Sequence, residues 1–215
     1  MSLYYIYLSL LLLMFILIYY GASWGFKYAP LKIKIMASAG FVALSFRYIC
    51  LIIFLVAKNI RYLYLLKPLV FFNLLGLPVL SILALYIYAR CDKIKFNYCL
   101  AACGMFTVLY VYAVTKLPAS IVSIGNLGYL MSLTNSFLVY GVYVIINTIF
   151  LFAAIILLDN KNANKFGIWI LLLSVLIQIV EILLSACYIR LFPVIIIGDV
   201  CLILTGNYAL YKFKK

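Results

Sequence analysis

The chain has no histidine, only four acidic residues, and a charged share of 10% over 215 positions. Without histidine, imidazole metal sites and imidazole general bases are excluded. So little charge excludes an ordinary soluble domain, where roughly 25% of residues are charged. No C-x-x-C pair occurs among Cys50, Cys91, Cys99, Cys103, Cys187 and Cys201. Most of these cysteines fall inside apolar runs and are read as small packing residues. Cys99 and Cys103, one helical turn apart, offer a weak heavy-metal alternative. No cofactor and no metal are expected.

What the chain has is hydrophobic residues, 70% of the total. A helix needs about 20 apolar residues to cross about 30 Å of hydrocarbon, and several stretches reach that length. Lipid-facing backbone must satisfy its own N–H and C=O groups. A β-barrel would show short strands of alternating polarity, which the unbroken run 3–20 excludes. The expected fold class is all-α, a polytopic transmembrane helix bundle forming one domain over 1–215. Its spans are placed at about 3–20, 35–57, 68–89, 96–115, 137–158, 166–188 and 192–211. Residues 117–136, uncharged and rich in Ser, Gly, Asn and Thr, are an outer loop, a re-entrant segment or an eighth span. The N-terminus lacks a basic leader, so the first run is read as a retained helix. Pro68 suits the first turn of its span, where its missing N–H costs nothing. Trp169 is placed as an interfacial aromatic.

The net charge of +13 is explained by short basic connections between apolar runs, not by nucleic-acid binding. Counting those connections separates seven spans from eight. With seven, one side gathers Lys27, Lys32, Lys34, Arg90, Lys93, Lys95, Lys161, Lys165, Lys212, Lys214 and Lys215, eleven in all. The other side holds Lys58, Arg61, Lys67, Lys116 and Arg190, five residues. With eight spans the split falls to nine against seven. The positive-inside rule therefore favours seven spans, with the N-terminus outside and the C-terminus in the cytoplasm. The expected location is the cell membrane, as a multi-pass protein.

Asp92 and Asp159 lie in connections, where solvation is role enough. Glu181 and Asp199 lie inside apolar runs, where a charge costs from about 2.5 kcal/mol upward. Glu181 is seven residues before Tyr188, and Asp199 seven after Phe192. A tight antiparallel helix pair would bring both carboxyls to one depth. Ser174, Gln178, Glu181 and Ser185 are spaced four, three and four apart, which puts them on one helical face. Gly198 and Gly206 would let a neighbouring helix approach closely. Arg47, near the middle of the second span, is the natural counter-charge, since its planar fork suits carboxylates. One arginine cannot neutralise two acids, so one acid is then expected to hold a proton or a cation. The candidate substrate- or ion-binding set is Glu181, Asp199, Arg47, Gln178 and Asn73. Asn126, Asn135 and Asn147 are further polar candidates.

Lys67-Pro68-Leu69 at the head of a span resembles the bacterial lysoplasmalogenase-like membrane family, which is of similar length. The acidic motif expected shortly afterwards and that family's histidine are missing, so the resemblance ends at three residues and assigns no activity. Three functions fit the pattern. The first is a small-solute or ion transporter using the embedded acids. The second is a membrane sensor or accessory subunit that binds a membrane protein, a lipid or a second copy of itself. The third and weakest is an intramembrane lipid enzyme, because only two embedded acids are at hand for acid–base work.

Overall fold

The computed structural model describes residues 2–57, 60–90, 96–134, 136–187, 189 and 192–214. Among them run nine α-helical segments: α1 (Ser2–Tyr28), α2 (Leu31–Val56), α3 (Ile60–Leu63), α4 (Lys67–Val70), α5 (Asn73–Ala89), α6 (Phe96–Lys116), α7 (Ser136–Leu158), α8 (Lys165–Ala186) and α9 (Ile197–Tyr211). Six stretches among the described residues are long and apolar enough to cross a membrane. They are Leu3–Tyr28, Leu31–Val56, Ile60–Ala89, Phe96–Lys116, Phe137–Leu158 and Lys165–Ala186. The fold is helical and fits a multi-pass membrane protein.

Two expected spans are broken, and both breaks have local causes. The run expected at 68–89 begins earlier, at Ile60, and turns at Phe71 and Phe72 before α5 starts. Pro68 lies in the first turn of α4. Tight three-residue hydrogen bonds, Leu74 N to Phe71 O (3.0 Å) and Leu75 N to Phe72 O (3.1 Å), carry the chain through the turn. Pro78 sits inside α5; it has no N–H to give to the Leu74 carbonyl, which loosens the same region. The helix expected over 192–211 starts only at Ile197. Its 15 residues cover about 22 Å at 1.5 Å each, short of the roughly 30 Å hydrocarbon layer. Residues 192–196 are irregular, although Pro193, Ile195 and Ile196 are buried.

Residues 117–136 do not form an eighth helical span. They contain a two-stranded antiparallel hairpin, β1 (Ala119–Ser123) with β2 (Tyr129–Leu133), in register from Ala119 opposite Leu133 to Ser123 opposite Tyr129. A short 3₁₀ turn at Gly125–Leu127 joins the strands. Gly128 follows at φ +77°, and a Cβ there would lie 2.8 Å from the Leu55 Cα. Only glycine suits both the backbone angle and that approach. The hairpin therefore lies against the end of α2. Met131 packs there with Cys50, Phe54, Leu63 and Val70. Lys67 Nζ donates to Leu117 O (2.7 Å) and fastens the base of the hairpin.

In lipid, apolar burial gives helices little reason to associate; close packing and interhelical hydrogen bonds do the work. The bundle is arranged accordingly around α9, which packs against α1, α5 and α8. Asn207 Nδ2 donates to Leu17 O of α1 (2.8 Å), and Tyr88 OH of α5 donates to Thr205 O (2.8 Å). Ser174 of α8 meets Thr205 hydroxyl to hydroxyl at 2.7 Å. The two glycines of α9 differ in use. A Cβ on Gly198 would clash with the Gln178 side chain and sit 2.8 Å from its Cα, whereas one on Gly206 would find nothing nearer than 3.8 Å. Gly198→Ala is therefore expected to destabilise the bundle by about 1–3 kcal/mol, the usual weight of overpacking. Gly206→Ala should leave thermal unfolding in detergent unchanged, and the paired measurement checks the assignment.

Candidate functional site

Arg47 is carried to the centre of the bundle by the inward face of α2. Its side chain is 2% exposed, and Asp199, in the first turn of α9, is fully buried. Arg47 Nη1 donates to Asp199 Oδ2 in a buried ion pair. Tyr48 OH donates to the same oxygen (3.1 Å), and Gln178 Nε2 of α8 donates to Oδ1 (3.2 Å). Two helices thus supply three donors to one carboxylate, the condition under which a charge can be kept at membrane depth. Arg47 Nη2 reaches toward the Ile195 carbonyl of the irregular segment at 3.5 Å.

Glu181 does not join that pair. Its Oε1 accepts from Ile196 N (2.9 Å) and Ile197 N (3.2 Å), and its Oε2 from Gly198 N (2.6 Å). These are the amides at the head of α9, whose N-cap residue Ile196 has no capping side chain. A helix start leaves its first N–H groups without partners and carries a partial positive charge. Glu181 answers both from the neighbouring helix. The two acids lie side by side, because Gly198 precedes Asp199, yet each has its own counter-charge. One is matched by a guanidinium and the other by a helix end, so no shared proton or cation is needed to balance them.

The polar face of α8 turns toward α9 and the space beside it. Ser174 bonds Thr205 and the Cys201 carbonyl (3.1 Å), Gln178 bonds Asp199, and Glu181 caps α9. Ser185 lines a partly open cavity of about 80 Å³. That volume holds a few waters or one small solute. Arg47, Asn73, Tyr143 and Ser185 supply polar groups to its wall. Phe71 from the first break and Pro193, Val194 and Ile195 from the second complete its sides, and β2 forms part of its cover. Arg47 Nε and the Tyr143 hydroxyl are buried without hydrogen-bond partners among the described residues.

Sequence reasoning missed Tyr48, Tyr143 and the strand residues. Tyr48 is adjacent to Arg47, and Tyr143 stands four residues before Asn147 in an otherwise apolar helix, which is a faint signal. Asn147 itself only bonds back to the Tyr143 carbonyl (2.8 Å). Asn135, Asp92 and Cys91, along with the Asn126 side chain, lie outside the described residues. Asp159 is exposed in a connection, and Trp169, 57% exposed, lies near the start of α8. Among the described residues no group of three or more Cys, Asp and Glu could hold a metal ion.

The chain matches no protein-family model, no curated protein and no solved structure. The geometry above is therefore the whole basis for a functional reading.

Proposed function

We propose that the protein is a small-solute carrier of the cell membrane, with a binding site in the cavity above Arg47. The observation that carries this reading is the meeting of one broken helix and the irregular segment ahead of a short one at one polar cavity. Irregular backbone is tolerated at membrane depth only where protein or water covers it. Carriers use such interruptions to build sites near the bilayer midplane. The turn at Phe71 and Phe72 and the segment 192–196 both border the cavity. The basic connections support a topology of seven crossings with the N-terminus outside and the C-terminus in the cytoplasm. On that topology α9 completes its crossing with the irregular segment ahead of it, and the hairpin lies on the outer side.

The polar residues around the cavity favour a solute that accepts hydrogen bonds. Arg47, Asn73, Tyr143 and Ser185 all carry donors, while both carboxylates are already engaged. Arg47 would form the binding floor, with Asp199 and Gln178 buried behind it and Asn73 at the rim. Glu181 would hold α9 in place. The test is uptake into proteoliposomes of labelled inorganic anions, monocarboxylates and neutral amino acids. Wild-type protein is expected to move one of these classes above the background of empty vesicles. The double variant Arg47→Met, Asp199→Asn, which keeps the charge balance, should lose at least nine-tenths of that flux. No movement of any class by wild-type protein, or full flux in the double variant, would overturn the reading.

A further inference from the structure

A second feature lies along the N-terminal half of α2, toward the other end of that helix from the cavity. Helix α6 packs against α5, which leaves a cleft between α2 and α6. The cleft encloses about 400 Å³ and is floored by Leu75 and Val79 of α5. On α2 its wall runs from Lys32 through Met36, Ala39 and Gly40 to Ala43. That is twelve residues, a rise of about 16 Å along the helix. Half of a roughly 30 Å hydrocarbon layer is about 15 Å, so the cleft spans one leaflet. Except for Lys32 at its head and Thr107, the lining is apolar or carries only a thiol.

Lys32 is exposed and makes no ion pair among the described residues. Its neighbours differ: Lys27 lies over the Tyr28 ring at 5.6 Å and Lys34 over the Phe26 ring at 5.3 Å. A cleft of leaflet depth with one free ammonium at its surface end has a specific complement. We propose that it binds one anionic glycerophospholipid, an acyl chain lying along Ala39, Gly40 and Ala43 and the headgroup phosphate meeting Lys32. This site is separate from the carrier cavity and stands whether or not that reading holds.

The test is native mass spectrometry of the full-length protein in detergent micelles doped with dioleoylphosphatidylglycerol or dioleoylphosphatidylcholine. Wild-type protein should retain one phosphatidylglycerol in preference to phosphatidylcholine. Lys32→Glu should lower phosphatidylglycerol retention at least fivefold, about the weight of one basic residue at an anionic surface. Lys161→Glu, a change of equal charge at an exposed residue outside the cleft, should have little effect. Ala39→Phe, at an exposed cleft position, should fill the groove and lower retention of both lipids, with circular dichroism unchanged. Equal retention of the two lipids by wild-type protein would overturn the proposal. So would equal losses in Lys32→Glu and Lys161→Glu, or no effect of Ala39→Phe.

Discussion

Arg47→Met is expected to destabilise the folded bundle by about 3–5 kcal/mol, the cost of stranding one member of a buried ion pair. The loss comes mainly from Asp199. That carboxylate would remain fully buried, with only Tyr48 and Gln178 still donating to it. Adding Asp199→Asn should recover most of the stability, because a neutral amide keeps acceptor oxygen for Tyr48 and removes the stranded charge. The asymmetry separates a charge pair from mere packing: if Arg47 acted only through its bulk, the second substitution would add damage. Denaturant titration in detergent of the wild-type protein, Arg47→Met, Asp199→Asn and the double variant gives the coupling energy directly.

Glu181→Leu is the second large effect expected, at roughly 2–4 kcal/mol. Three backbone N–H groups at the head of α9 would lose their acceptors, and each unsatisfied buried group costs about 1–3 kcal/mol. Some of that cost is relieved where water reaches the helix end. Glu181→Gln keeps one acceptor oxygen and should lose less than half as much. The local signature is distinctive. Hydrogen exchange at Ile197 and Gly198 should quicken in Glu181→Leu, while amides in the middle of α8 keep their protection. Uniform loss of protection through α8 and α9 would mean that Glu181 supports the bundle in some other way than as a cap.

Much of this arrangement was legible in the residues. The lengths of the apolar runs marked the long helices, since only a helix of that length satisfies its backbone in lipid. The cost of burying charge singled out Arg47, Glu181 and Asp199, and helical periodicity aligned Ser174, Gln178, Glu181 and Ser185. The division of labour between the acids was not legible. Two carboxyls beside one arginine read as a shared site, because a helix terminus leaves no mark in composition. Had the start of α9 been known, its uncapped Ile196 would have named Glu181 as the cap.

The hairpin escaped notice for a different reason. Residues 117–136 are apolar enough for a span, and strand pairing depends on partners that hydropathy does not see. Gly125 and Gly128, both at positive φ, were the available turn signal. The break before α9 followed from Pro193 and from the same cap, and the turn at Phe71 and Phe72 had no strong signal beyond Pro68 and Pro78 on either side.

The central claim is that water reaches a polar cavity at membrane depth above Arg47. Single cysteines placed on a cysteine-free background test it through reaction with a membrane-impermeant, water-soluble thiol reagent. Val194→Cys and Ser185→Cys face the cavity, while Leu173→Cys, 57% exposed on α8, faces lipid. Rapid labelling at 194 and 185 with none at 173 is the predicted result. Silence at both cavity positions, or labelling no faster than at 173, would contradict it.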